Sequence, residues 1–190
     1  MIERIPYPLA RPHIGDADLL LFGGRSLYPS LPIRWWTNGY PWWHWKGWLS
    51  LGPWSHAEIA YRDGFSMAGE SLIAWGSVGG GPRKVPLSRL LHQYGSFGWA
   101  PFKGSDEDRA DLISRAEELW RPGPVDYPSF RQYVRTALRG WYGEKVDFDP
   151  NGFTCWEWVA SVHGLDQPAS WYAAELAECG RFGPVVEIVP

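Results

Sequence analysis

The stretch "WSHAEIAYRDG", residues 54–64, alternates in character and ends at a turn signal. Period-two alternation of apolar and polar residues marks a half-buried strand. A histidine stands at its head, at His56, and "SLIAW", 71–75, is the next apolar run. Residues 56–75 therefore read as a β-hairpin. Arg62, Asp63 and Gly64 supply a three-residue loop, with Gly64 in the left-handed position. Pairing Tyr61 with Phe65 sets His56 opposite Glu70, both side chains on one face. Glu58, two residues from His56, shares that face. It is the alternative acid, and a surface role is an equal reading of it.

The remaining elements group around this hairpin. Residues 1–15 read as an irregular arm. "DADLLLF", 16–22, is a strand closed by Gly23 and Gly24. "GSVGGGP", 76–82, reads as a turn-rich link, because no GK[ST] follows that would make it a phosphate loop. "RKVPL", 83–87, is a short edge strand, with a helical turn over 88–93 and a strand over 96–102 after it. A helix spans 106–121, capped by Ser105 and Asp108, with Leu112, Ile113, Ala116, Leu119 and Trp120 facing inward. A second helix covers 129–139. A third opens at Thr154, where Thr154 and Glu157 have the spacing of a capping box. A fourth covers 170–179 and stops at Gly180. "VVEIV", 185–189, is a last strand. The fold class is α+β: a small antiparallel sheet on the Cys155 helix. The organisation is one domain, 1–190, with an insertion at about 25–53.

That insertion holds the oddest composition. The chain has 190 residues, 45% of them hydrophobic, and 14 tryptophans. Six tryptophans fall in "WWTNGYPWWHWKGW", 35–48. The segment reads as a lid over the domain, or as a surface for carbohydrate, peptide or lipid headgroups.

The formal net charge is -3, and no basic tract exceeds two residues, so nucleic acid is excluded as a partner. The N-terminal residues place charges and prolines where a leader's apolar segment would sit. No run of 18 apolar residues is present to span a membrane. The default address is cytoplasmic, with export by another route open. Two cysteines do not make a disulfide framework, and both are expected as free thiols.

Cys155 falls at the first turn of the third helix. Unpaired backbone N–H groups and the helix dipole favour a thiolate there. Cys179 lies at a helix C-terminus, where the dipole opposes one, and reads as structural. Of the five histidines, only His56 combines a strand mount with an acidic neighbour; His13 reads as an arm residue, His44 as part of the insertion, and His92 and His163 as surface or satisfied residues on or near helices. An acid on one ring nitrogen would fix the tautomer and leave the other for the thiol.

The order "GDADLLLF", "WSHAEIAYRDG", "GESLIAWGSVGGG", "VPL" and "FTCWEW" resembles the permuted branch of the papain-like NlpC/P60 superfamily, and within it the YiiX-like hydrolases. The likeness rests on Gly15 and Asp16, Ser55 and His56, Glu70 and Ser71, and Thr154, Cys155 and Glu157. "VDYPSF", 125–130, is similar to the family's approach to its cysteine, with Asp and Tyr in reversed order. Trp156 departs from the family's small residue after cysteine. The resemblance implies a permuted papain-like fold, Cys155 as nucleophile, His56 as base and Glu70 as orienting residue. It implies a thiol hydrolase of peptidase or amidase type, forming an acyl-enzyme on an amide or ester. Peptide, glycopeptide and lipid-ester substrates all fit the family. Asp16, Trp54, Ser55 and Trp156 are the candidate oxyanion or pocket residues.

Two alternatives belong to the same fold: a non-catalytic module binding glycan or protein, and a lipid acyltransferase or thioesterase. A metal enzyme built on His56, Glu70 and Asp16 or His13 is a weaker reading. The chain has neither H-E-x-x-H nor paired-cysteine spacing, and no metal or cofactor is expected.

Overall fold

A computed structural model describes residues 2–23, 54–63, 71–78, 81–120, 154–168 and 173–190. The tryptophan-rich segment, the expected helix at 129–139, the stretch 125–130 and Glu70 lie outside the described residues.

The architecture is α+β. In chain order the described elements are β1 (Arg4–Pro6), α1 (Tyr7–Ala10), β2 (Leu19–Phe22), β3 (His56–Arg62), β4 (Leu72–Val78), β5 (Gly81–Pro86), α2 (Leu87–Tyr94), β6 (Phe97–Ala100), α3 (Asp106–Leu119), α4 (Cys155–Val162), α5 (Ala173–Glu178) and β7 (Val186–Val189). The seven strands form one sheet in the order β1-β7-β6-β2-β3-β4-β5. Every pairing is antiparallel except β1 with β7. The sheet is thus wider than the small one expected. Part of the expected N-terminal arm supplies its edge, as β1.

β2 lies at the centre of the sheet, and its four residues Leu19–Phe22 are all buried. An unbroken apolar run suits a strand covered on both faces. Leu19 and Leu21 face one core with Ala57, Ile59 and Trp75, against which α4 lays Trp156, Trp158 and Val159 and α3 lays Leu112 and Ala116. Leu20 and Phe22 face a second core with Ala60 and Ala74, closed by Ala10 of α1 and by Leu87, Leu90 and Leu91 of α2. α4 is buried at every position but Ser161. That matches its apolar composition on all sides, since a helix with no polar face must be enclosed.

The caps follow the sequence. Ser105 Oγ accepts from the Asp108 N–H at 3.1 Å, and the Asp108 carboxylate accepts from the Ser105 N–H at 2.7 Å. Thr154 Oγ1 accepts from the Glu157 N–H at 3.2 Å, and Glu157 returns the bond to the Thr154 N–H at 3.2 Å. Each reciprocal pair satisfies donors that a helix start leaves unpaired.

The hairpin register differs from the expected one. Ile59 pairs with Trp75, Tyr61 with Ile73 and Arg62 with Leu72, so Tyr61 does not pair with Phe65. The Asp63 N–H still donates to the Ser71 carbonyl at 2.7 Å. Continued toward the start of β3, this pairing brings His56 level with Val78, not Glu70. Packing explains the shift. Gly76 comes to lie beside Glu58, where an added Cβ would stand 2.5 Å from Glu58 Cγ. Only glycine leaves room for that buried carboxylate arm. "GSVGGGP" is accordingly not a plain link: β4 runs through Val78, and β5 begins at Gly81.

Candidate active site

His56 opens β3 and Cys155 opens α4. The two side chains lie near enough for Cys155 to act on the His56 imidazole through charge and hydrogen bonding. Cys155 occupies the first helical position after the Thr154 cap, so its backbone N–H has no partner within the helix. The side chain is fully buried. Cys179 is also free and only half-buried.

Glu58 is the acid that meets the His56 ring. Its Oε1 accepts a hydrogen bond from His56 Nε2 at 2.7 Å and stands 3.3 Å from Arg83 Nη2. The carboxylate is fully buried, while the His56 side chain is 12% exposed. Adjacent positions on a strand point to opposite faces, so the i, i+2 spacing puts acid and imidazole side by side. The surface reading of Glu58 is therefore corrected. Its other oxygen, Oε2, is buried with no hydrogen-bond partner. Arg83, on β5, compensates part of the charge; a buried carboxylate held only by a neutral imidazole would carry a large desolvation cost.

The electrostatics favour a charged imidazole. Burial acts to lower the His56 pKa. Cys155, through charge and hydrogen bonding, and then Glu58 outweigh it, and His56 stands well above its ordinary value. With Nε2 committed to Glu58, Nδ1 is the nitrogen available to sulfur.

The other expected pocket residues divide. Ser55 is buried beside the pair, its N–H donating to the Phe22 carbonyl at 2.9 Å. This bond fixes the backbone just ahead of His56. Trp54 is half-buried and packs its indole against Gly98, where an added Cβ would stand 2.7 Å from the ring. Trp156 is fully buried and belongs to the core. It is no cleft wall. Asp16 stands elsewhere: its Oδ1 accepts from the Arg62 N–H at the far end of β3. Six residues of strand separate that end from His56, about 20 Å. Asp16 ties a loop to the strand and is not placed to meet an oxyanion.

Asp18 is the residue that motif reading passed over. It is fully buried. Its oxygens accept from the Gly15 N–H at 2.8 Å, Trp99 Nε1 at 2.8 Å, the Phe102 N–H at 2.9 Å and Arg109 Nη1 at 2.7 Å. It joins β2, β6 and α3, and thereby steadies the sheet that carries His56. The signal was an acid set directly against "LLLF", a costly place for an unpaired charge. His163, at the C-terminal cap of α4, is buried between Phe102 and Phe182.

Among the described residues no cluster of His, Cys, Asp and Glu is arranged to hold a metal ion. Nor is any described helix long and apolar enough to cross a membrane. No family model matches the chain, and no curated protein matches it.

Proposed function

We propose that the protein is a cysteine hydrolase of peptidase or amidase type, in which Cys155 is the nucleophile, His56 the base and Glu58 the residue that orients and charges the imidazole. The observation that carries this reading is the action of Cys155 on the His56 imidazole, together with Glu58 2.7 Å from His56 Nε2. Nucleophile, base and orienting group in series are the general signature of covalent acyl transfer. The resemblance to the permuted NlpC/P60 branch agrees in the order of histidine strand and cysteine helix. Here Glu58 fills the role that the resemblance implies for Glu70.

In this mechanism the Cys155 thiol proton moves to His56 Nδ1. The sulfur attacks the carbonyl carbon of an amide or ester, and the developing oxyanion is met by the Cys155 backbone N–H. As the tetrahedral intermediate collapses, His56 returns the proton to the departing amine or alcohol. Water then attacks the thioester with His56 as base, releasing the acid and the free thiol. The substrate class in view is a peptide or glycopeptide of the cell wall; acyl transfer from lipid esters uses the same steps with another acceptor.

The full burial of Cys155 favours a second reading, a non-catalytic glycan- or protein-binding module on the same fold. Iodoacetamide labelling across pH, read by mass spectrometry, separates the two. The hydrolase reading expects Cys155 to label faster than the half-buried Cys179 below pH 7, and His56→Ala to abolish that advantage. Cys155 unlabelled after Cys179 has reacted fully would favour the module.

A further inference from the structure

Away from the Cys155–His56 pair, the same sheet builds an aromatic box around a cation. Ile59, Trp75 and Lys84 are cross-strand partners on β3, β4 and β5, so they share one face. Tyr61, two residues beyond Ile59, points to that face as well. Trp120, at the C-terminal cap of α3, closes the third side. Neighbouring rings are inclined rather than stacked: Tyr61 and Trp75 at 57° with centroids 5.5 Å apart, Trp75 and Trp120 at 54° and 5.2 Å. Lys84 Nζ stands in the enclosure, 3.9 Å from the Trp75 ring centre, 4.5 Å from Tyr61 and 5.3 Å from Trp120.

Three features bear on what this enclosure can hold besides the lysine. Ring faces attract a cation most strongly when several converge on it. Lys84 is an exposed residue with no ion pair among the described residues, so the rings are the partners its ammonium has there, with the Trp75 ring itself fully buried. The surroundings are also negative. Burial first, then the carboxylates of Asp63, Glu117 and Asp16, push the Tyr61 hydroxyl above its ordinary pKa. A primary ammonium is a poor match for such a box, because it gives up hydrogen bonds to water on entering. A quaternary ammonium has none to give up and presents methyl groups to all the walls.

We propose that Tyr61, Trp75 and Trp120 form a binding site for a quaternary ammonium group of the choline type, with Lys84 as its resident competitor. Five residues of β3 separate Tyr61 from His56, about 17 Å. The site is therefore distinct from the proposed nucleophile and stands without hydrolytic activity.

Saturation-transfer NMR with tetramethylammonium and choline tests it, with 3,3-dimethylbutanol as the uncharged match in shape. Lys84→Met, which removes the competing charge, is expected to tighten choline binding about three- to tenfold. Trp120→Leu is expected to weaken it by about tenfold. The alcohol should show no saturable binding. Circular dichroism establishes that each variant is folded, and Lys84→Gln serves in place of Lys84→Met if the latter is not. A folded Lys84 variant that shows no saturable choline signal, or binds the alcohol equally well, overturns the proposal.

Discussion

His56 and Glu58 lie two residues apart on one strand, and their side chains meet at 2.7 Å with the carboxylate wholly removed from solvent. The arrangement is local: a single strand supplies both base and orienting acid. Its strength comes from elsewhere, from the space left by Gly76 and the positive charge of Arg83.

The acid's contribution shows in a pH profile. Glu58→Gln keeps the shape and removes the charge that helps hold the His56 pKa up. The rate of Cys155 alkylation at pH 6 is expected to fall about tenfold, its rise moving to higher pH. The same shift bears on stability. A histidine raised in the folded state stabilises fully below its unfolded pKa of about 6.5, and that contribution is lost as pH climbs through the higher folded value. Denaturant titrations should therefore show the wild-type advantage over Glu58→Gln narrowing above neutral pH. An identical alkylation profile in the variant would remove Glu58 from the mechanism.

Asp18 is expected to matter to folding more than any residue of the candidate site. Asp18→Asn removes the ionic partner of Arg109 and turns one acceptor into a donor facing N–H groups. Loss of one member of a buried charged network costs about 3–5 kcal/mol. Urea unfolding measures this directly. A loss below about 1 kcal/mol would mean that Arg109 and the Trp99 indole find other partners.

His163 gives the opposite pH dependence to His56. Burial first, then the charge of Arg181, bring its pKa down to about 3; the Ala17 backbone opposes them, and the Arg109 charge adds the smallest push downward. A histidine depressed on folding stays neutral while the unfolded chain takes up a proton. Stability is then lost as pH falls from about 6.5 toward 3, in total on the order of 5 kcal/mol. His163→Phe should suit the neighbouring Phe102 and Phe182 rings and flatten this acid limb. Unfolding midpoints at pH 5 and pH 7.5 decide the matter: equal slopes in wild type and variant would refute the assignment.

Local pattern carried much of the fold. Both capping boxes were legible because Ser105–Asp108 and Thr154–Glu157 act within one helical turn. His56 at the head of a strand and Cys155 at the head of a helix were legible for the same reason. The hairpin register was not. It depends on which residue opposite β3 leaves room for the Glu58 side chain, a volume condition invisible to alternation alone. The parallel pairing of β1 with β7 joins residues some 180 positions apart, Arg4 with Glu187 among them, and no local signal announces it. Asp18 went unread because three of its four donors, Trp99, Phe102 and Arg109, lie more than 80 positions further along the chain.

That parallel pairing has a further consequence. β1 has only three residues, yet among the described residues it is the one strand paired to that side of β7. Deleting residues 2–6 would uncap a row of backbone donors and acceptors at the sheet border, a template for strand exchange between molecules. Such a truncation should self-associate, so this short segment acts as a guard against strand exchange at its border of the sheet.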